Sequence, residues 1–210
     1  FFLNDTATTE IYTLSLHAAL PIYKKKRYED SEAAGLIRPL YIYDVANNCF
    51  GCHTVPNEKL VNVGGHTPGS KFDLVSWSQG EVRHNVWYSK ENKEASANRK
   101  RQLYVVGNVL DLEHALRGLG KATTAGKYAD AMKARAQGAL QTLEKIAGGV
   151  KSAELVSIIA AAKSSGMKLG DAGGLNAAAD TIKAAGRKFA ATQDGSGLAS
   201  VDSMIPGADK

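Results

Sequence analysis

Apolar residues in the second half of the chain recur at spacings of three and four, the period of an amphipathic helix. Leu103, Val106 and Leu110 with Val105, Val109, Leu112 and Leu116 make a broad stripe, which predicts a long helix from Ala97 to Leu119. Gly118 and Gly120 close it. A second helix is predicted over Lys127 to Ala147, with Tyr128, Met132, Ala136, Ala139, Leu140, Leu143 and Ile146 inward and Gly148-Gly149 as its stop. Ser152 is an N-cap for a third helix ending at Ser164, with Leu155, Ile158, Ile159 and Ala162 inward. Asp171 or Gly173-Gly174 precedes a fourth, Leu175 to Thr192, striped by Leu175, Ala178, Ala179, Ile182, Ala185 and Phe189. Four such helices joined by short Gly-containing loops predict an antiparallel bundle.

The first half follows a different pattern. Glycine and proline break it into short pieces, and only brief helices fit: one leading through Cys49 to His53 with Asp44 as its N-cap, one after Pro56, and one within Lys71 to Gly80. The fold class is therefore mainly α, a loop-rich region of short helices followed by a bundle of about four. Four segments result: 1–22, a loop-rich region 23–90, the bundle 91–192, and a Gly/Ser-rich tail 193–210 whose composition predicts disorder. Within 23–38 a short helix fits Glu29 to Leu36.

Composition narrows the partners. The 26 basic and 21 acidic residues are interspersed along the helices, without the aromatic-basic alternation of a nucleic-acid surface. Nucleic acid is not expected, and a basic surface that docks acidic proteins is the milder reading. No run of 18 apolar residues occurs, so no integral membrane segment is expected. The opening run, FFLNDTATTEIYTLSLHAALPI, lacks the basic start of a signal peptide and is interrupted by Asp5 and Glu10. It resembles translated sequencing adapter, so residues 1–22, including His17, are set aside as an artefactual leader, and the true N-terminus is expected to be missing.

The chemistry concentrates in Cys49-Phe50-Gly51-Cys52-His53, which uses both cysteines of the chain. Cys-x-x-Cys-His is the attachment pattern of c-type haem. Each thiol adds across one vinyl group, the two-residue spacer lets one helical turn span both vinyls, and the adjoining imidazole is an axial iron ligand. A redox-active dithiol and a zinc site are the alternatives for Cys-x-x-Cys. The first needs a strand and a βαβ setting, and this region offers helices and Gly-rich loops. The second would draw on Cys49, Cys52, His66 and His84, whose histidines are spaced more widely than zinc motifs require. A second axial ligand is open between His84 and His66, with His114 a distant third; Met132, Met167 and Met204 lie far along the chain. Arg83 suits a haem propionate, and Trp77 suits packing against the porphyrin.

The run NCFGCHTVPNEKLVNVGGH followed by FDLVSWSQGEVRHN resembles the cytochrome c554/c-prime type of secreted multihaem cytochromes, over about Asp44 to Val86. The resemblance implies His53 as proximal ligand, with His84 resembling a distal one and His66 competing. It also implies electron transfer through covalent haem c with bis-histidine iron, a periplasmic or extracellular location, and redox proteins or other haem subunits as partners. Relatives of that type carry several haem motifs and this chain carries one, so a truncated multihaem chain is favoured over a monohaem member. A haem enzyme acting on a small nitrogen or oxygen species, and a haem-based sensor, remain the other classes.

Overall fold

The computed structural model describes residues 21–38, 40–79 and 93–207. These fall in two compact units, one ending at Leu40 and the other Tyr41–Lys210. The first contains helix α1, Pro21–Ala33. It is longer at its start than the helix the sequence suggests, and it ends at Gly35 in the left-handed region, φ 94°. There the Leu36 amide returns to the Ser31 carbonyl at 2.8 Å, as in a Schellman closure. Arg38 pairs with Glu32 and covers the Tyr28 ring at 4.7 Å.

In the second unit the chain forms α2 (Ile42–His53), α3 (Glu58–Asn62), α4 (Leu74–Gln79), α5 (Ala97–Lys121), α6 (Lys127–Gly149), α7 (Ala153–Ser164) and α8 (Ala172–Thr192), then a 3-10 segment over Ser196–Met204. No strand occurs among the described residues, so the fold is mainly α, a helical bundle preceded by short helices. The helix starts and stops follow local chemistry. Ser96, Ser152 and Asp171 accept the amides of Arg99, Leu155 and Gly174 and so cap α5, α7 and α8.

Helix α5 is the hub. It packs against α6 and α8, against α2 and α4, and against the 3-10 segment. One stripe was legible in its sequence, but it is covered on more than one side: Leu103, Val105, Val106, Val109, Leu110, Leu112, Ala115, Leu116 and Leu119 are all buried. Two polar residues are buried with them, and both are satisfied. Gln102 donates to the carbonyls of Ala190 and Gln193 at 2.8 and 2.6 Å, which holds the end of α8. Glu113 accepts from the Tyr43 hydroxyl at 2.6 Å and from Arg117 Nε at 2.8 Å. Arg117 continues to Asp180 on α8 at 2.8 Å.

Three sequence expectations change. Asp44 does not cap α2, which begins two residues earlier because Ile42 and Tyr43 are drawn into the core; Asp44 instead pairs with Arg187 of α8. The boundary between 90 and 91 does not separate two bodies, because α2 packs on α5 and α8 within one unit. The tail 193–210 is not disordered through Met204. Leu198 and Val201 are fully buried, and Arg101 grips both oxygens of Asp202 at 2.6 Å. Two buried aliphatic side chains, each stabilising by about 1.5–3 kcal/mol, outweigh the Gly/Ser composition around them.

Leu198→Ala is expected to destabilise the protein by about 2–5 kcal/mol, measured by urea unfolding; a disordered tail would give no change. A second expectation concerns α3. Both Glu58 oxygens accept from the amides and hydroxyls of Thr123 and Thr124, at 2.7 to 3.1 Å, and these bonds hold its carboxyl at about 2, against an ordinary 4.5. The folded value lies below the unfolded one, so the stabilisation is complete above pH 4.5 and is lost as pH falls through about 2. The urea midpoint of the wild type should fall more steeply across that window than that of Glu58→Gln.

Candidate functional site

Helix α2 carries its buried residues at Ile42, Tyr43, Ala46 and Phe50. That stripe turns the other side of the last turns outward. Cys49 is half-buried and Cys52 exposed, and both are free thiols. At i and i+3 they stand one turn apart on one face, and His53, four residues after Cys49, falls on the same face. The helix stops at once. Thr54 turns its amide and hydroxyl back to the Phe50 carbonyl at 3.1 and 2.7 Å. Val55 then adopts φ 48°, an uncommon conformation for a β-branched residue. The chain reverses there into α3, whose first turn is capped by Asn57 on the Leu60 amide at 2.9 Å.

The segment after α3 returns to the end of α2. The Ser70 amide donates to the His53 carbonyl at 3.0 Å. Ser70 Oγ lies 3.1 Å from His53 Nδ1. Gly69 makes this approach possible: its φ is 83°, and a Cβ there would lie 2.8 Å from Arg135 Nη1 and 3.2 Å from the His53 carbonyl oxygen. Arg135 of α6 donates to the Ser70 carbonyl at 3.0 Å and pairs with Asp111 of α5. Burial pushes the Asp111 carboxyl up, and Arg135 draws it partly back.

Aromatic rings close around the imidazole. Phe72 stacks on His53 with centroids 4.3 Å apart and planes 12° from parallel. Trp77 approaches edge-on at 4.8 Å. Phe72 in turn meets Phe50 at 4.9 Å, which joins this group to the core. Stacking covers a π face of the imidazole and leaves the ring edge, in whose plane a nitrogen binds a ligand, uncovered by Phe72. With Nδ1 engaged by Ser70, Nε2 is the nitrogen left for a ligand.

The thiols are not arranged as a redox dithiol. They stand in the last turns of a helix, where the negative end of the dipole disfavours a thiolate, whereas activated cysteines sit at helix N-termini or beside cations. Burial pushes the Cys49 thiol up, against activation. Among the described residues, no three His, Cys, Asp or Glu side chains gather as a metal-binding group.

The structure therefore brings Cys49, Cys52, His53 and Trp77 together. Trp77, expected to pack against a porphyrin, is 47 % exposed beside the His53 ring. His66 is exposed in the turn after α3; its Nδ1–H donates to the Thr67 carbonyl at 2.8 Å, so its Nε2 also carries the lone pair. Arg83 and His84 lie outside the described residues. His114 is engaged elsewhere: its Nε2 lies 2.9 Å from the Asn47 side-chain oxygen, its ring stacks on Phe50, and burial pushes it down. Ser70 and Arg135 were missed in the sequence. A serine after Pro-Gly and an arginine on a helix carry no local mark of their contacts, which span 17 and 65 residues.

Two free thiols one turn apart on an outward face, an adjoining imidazole with Nε2 available, and a half-exposed aromatic wall fit the demands of a covalently attached haem. Compared with protein-family profiles, curated proteins and solved structures, the chain finds no match in any of the three.

Gly69→Ala is expected to cost more stability than Gly65→Ala. Both glycines have positive φ, 83° and 72°, but nothing lies within 4 Å of a Cβ at Gly65. The backbone strain, about 1–3 kcal/mol, is common to both, so the difference in denaturation midpoint reads the crowding against Arg135 and His53.

Proposed function

We propose that this chain is a c-type haem protein that transfers electrons, with haem c attached through Cys49 and Cys52 and His53 as an axial ligand. The observation that carries the reading is the placement of both thiols and His53 on one outward face of α2, with His53 Nδ1 engaged by Ser70. When bound, the haem supplies a one-electron iron couple. The chain's own residues do the rest. Cys49 and Cys52 fix the group to α2, and α2 is fixed to the bundle through Tyr43 and Glu113. His53 offers Nε2. Phe72 and Trp77 present apolar surface beside the imidazole.

Bis-histidine ligation is part of the proposal, with the second imidazole from His84 or His66. Two imidazoles saturate the iron, which suits outer-sphere transfer and favours a lower potential than a His/Met pair. Covalent haem is attached outside the cytoplasm, so the reading carries a periplasmic or extracellular location, and its partners are redox proteins or other haem subunits. No described helix is long and apolar enough to cross a membrane.

Produced with a haem-maturation system, the chain should retain haem through denaturing electrophoresis, and Cys49→Ala with Cys52→Ala should abolish that signal. Zinc without haem in the purified protein would overturn the reading. Low-spin absorption bands unaffected by carbon monoxide are expected. One of His66→Ala and His84→Ala should convert the iron to high spin; high-spin bands in the wild type that shift with carbon monoxide would assign an enzyme or a sensor instead.

A further inference from the structure

We infer that Ser70, clamped by Arg135, is a positioning residue that holds His53 as its Nδ1–H tautomer and so sets the electron density that Nε2 presents to a ligand. The electronic half of this inference rests on the haem reading; the tautomer half does not.

Ser70 is held at both ends of its peptide groups: its amide donates to the His53 carbonyl at 3.0 Å, and its carbonyl accepts from Arg135 Nη1 at 3.0 Å. Arg135 is itself oriented by Asp111. The side chains of Arg135 and Asp111 are 14 % and 23 % exposed, so water competes little for this pair. The string Asp111–Arg135–Ser70–His53 thus runs from α5 through α6 to the end of α2, and it fixes the serine backbone where its hydroxyl lies 3.1 Å from Nδ1.

A hydroxyl can donate or accept, so distance alone does not choose the tautomer. The surroundings do. His53 is the last residue of α2, and Nδ1 is the ring nitrogen nearer the backbone. The carbonyls at that end form the negative pole of the helix. A lone pair on Nδ1 is repelled there and an N–H is attracted; Arg135, the nearby cation that would favour the lone pair, is engaged by Asp111 and the Ser70 carbonyl. The proton therefore belongs on Nδ1, the serine oxygen accepts it, and Nε2 keeps its lone pair. An acceptor on Nδ1–H raises the basicity of Nε2. A neutral hydroxyl does so mildly; a carboxylate in its place would do so strongly.

The test uses the full chain with nitrogen-15 histidine, expressed without haem attachment and studied by long-range proton–nitrogen correlation at mildly alkaline pH. His53 should show a protonated Nδ1 and an unprotonated Nε2. Ser70→Ala should release it toward the Nε2–H form, Ser70→Thr should restore it, and Arg135→Lys, which cannot bridge Asp111 and the Ser70 carbonyl, should give a mixture. In the haem-loaded protein, Ser70→Ala should raise the midpoint potential, with a change of about tenfold in the oxidised-to-reduced ratio, about 59 mV for one electron, and Ser70→Thr should return it. An Nε2–H His53 in the wild type overturns the inference, as does a Ser70→Ala protein with unchanged tautomer. A changed tautomer with unchanged potential overturns its electronic half. If no haem is attached, the functional reading fails and the tautomer spectra alone decide the role of Ser70.

Discussion

A carboxylate cannot be left unpaired in a helical core, and Glu113 is 2 % exposed at the centre of this one. Its oxygens are met by Arg117 on the same helix and by Tyr43 on α2. The requirement runs both ways. Among the described residues the buried Tyr43 hydroxyl finds its partner in Glu113, so α2 is fixed in rotation as well as in position. That rotation turns Phe50 inward and leaves Cys49, Cys52 and His53 facing out. Gly186 of α8 allows the close fit, since a Cβ there would lie 2.5 Å from the Tyr43 ring. The outward face of the motif is thus a consequence of one buried acid and one missing methyl.

The bundle was legible because its signals are local. Ser152 stands three residues before the Leu155 amide it caps, Gly148-Gly149 ends α6 within two residues of the forecast, and the stripes of α6 and α8 are the faces found buried. The misreadings share a cause. Asp44 looks like a cap when only its neighbours are considered, but its partner is Arg187, 143 residues away. The tail looks disordered by composition, but Leu198 and Val201 find a groove made by α5 and α6. Short-range rules report what a segment can do alone. They are silent on which surface will reach it.

The same division holds at the site. The thiols and His53 were legible because their spacing along one helix is itself the chemistry. Ser70, Arg135 and Asp111 were not, because their relation to His53 exists only once a loop has returned and two bundle helices have packed. The stacked Phe72 lies between these cases: its apolar character was evident, its partner was not.

The pairing of Asp44 with Arg187 sets an order of events. The surface on which α2 rests is built from α5 and α8, and α8 lies near the far end of the folded chain. Until α8 has emerged, the segment carrying Cys49 to His53 has no complete platform and behaves as a short peptide with accessible thiols. Contacts of such sequence separation form late, because loop closure must precede them. Completion of the bundle therefore steadies the motif from behind without shutting it: Cys52 stays exposed and Cys49 half-buried in the finished fold, so the thiols can be modified before or after folding.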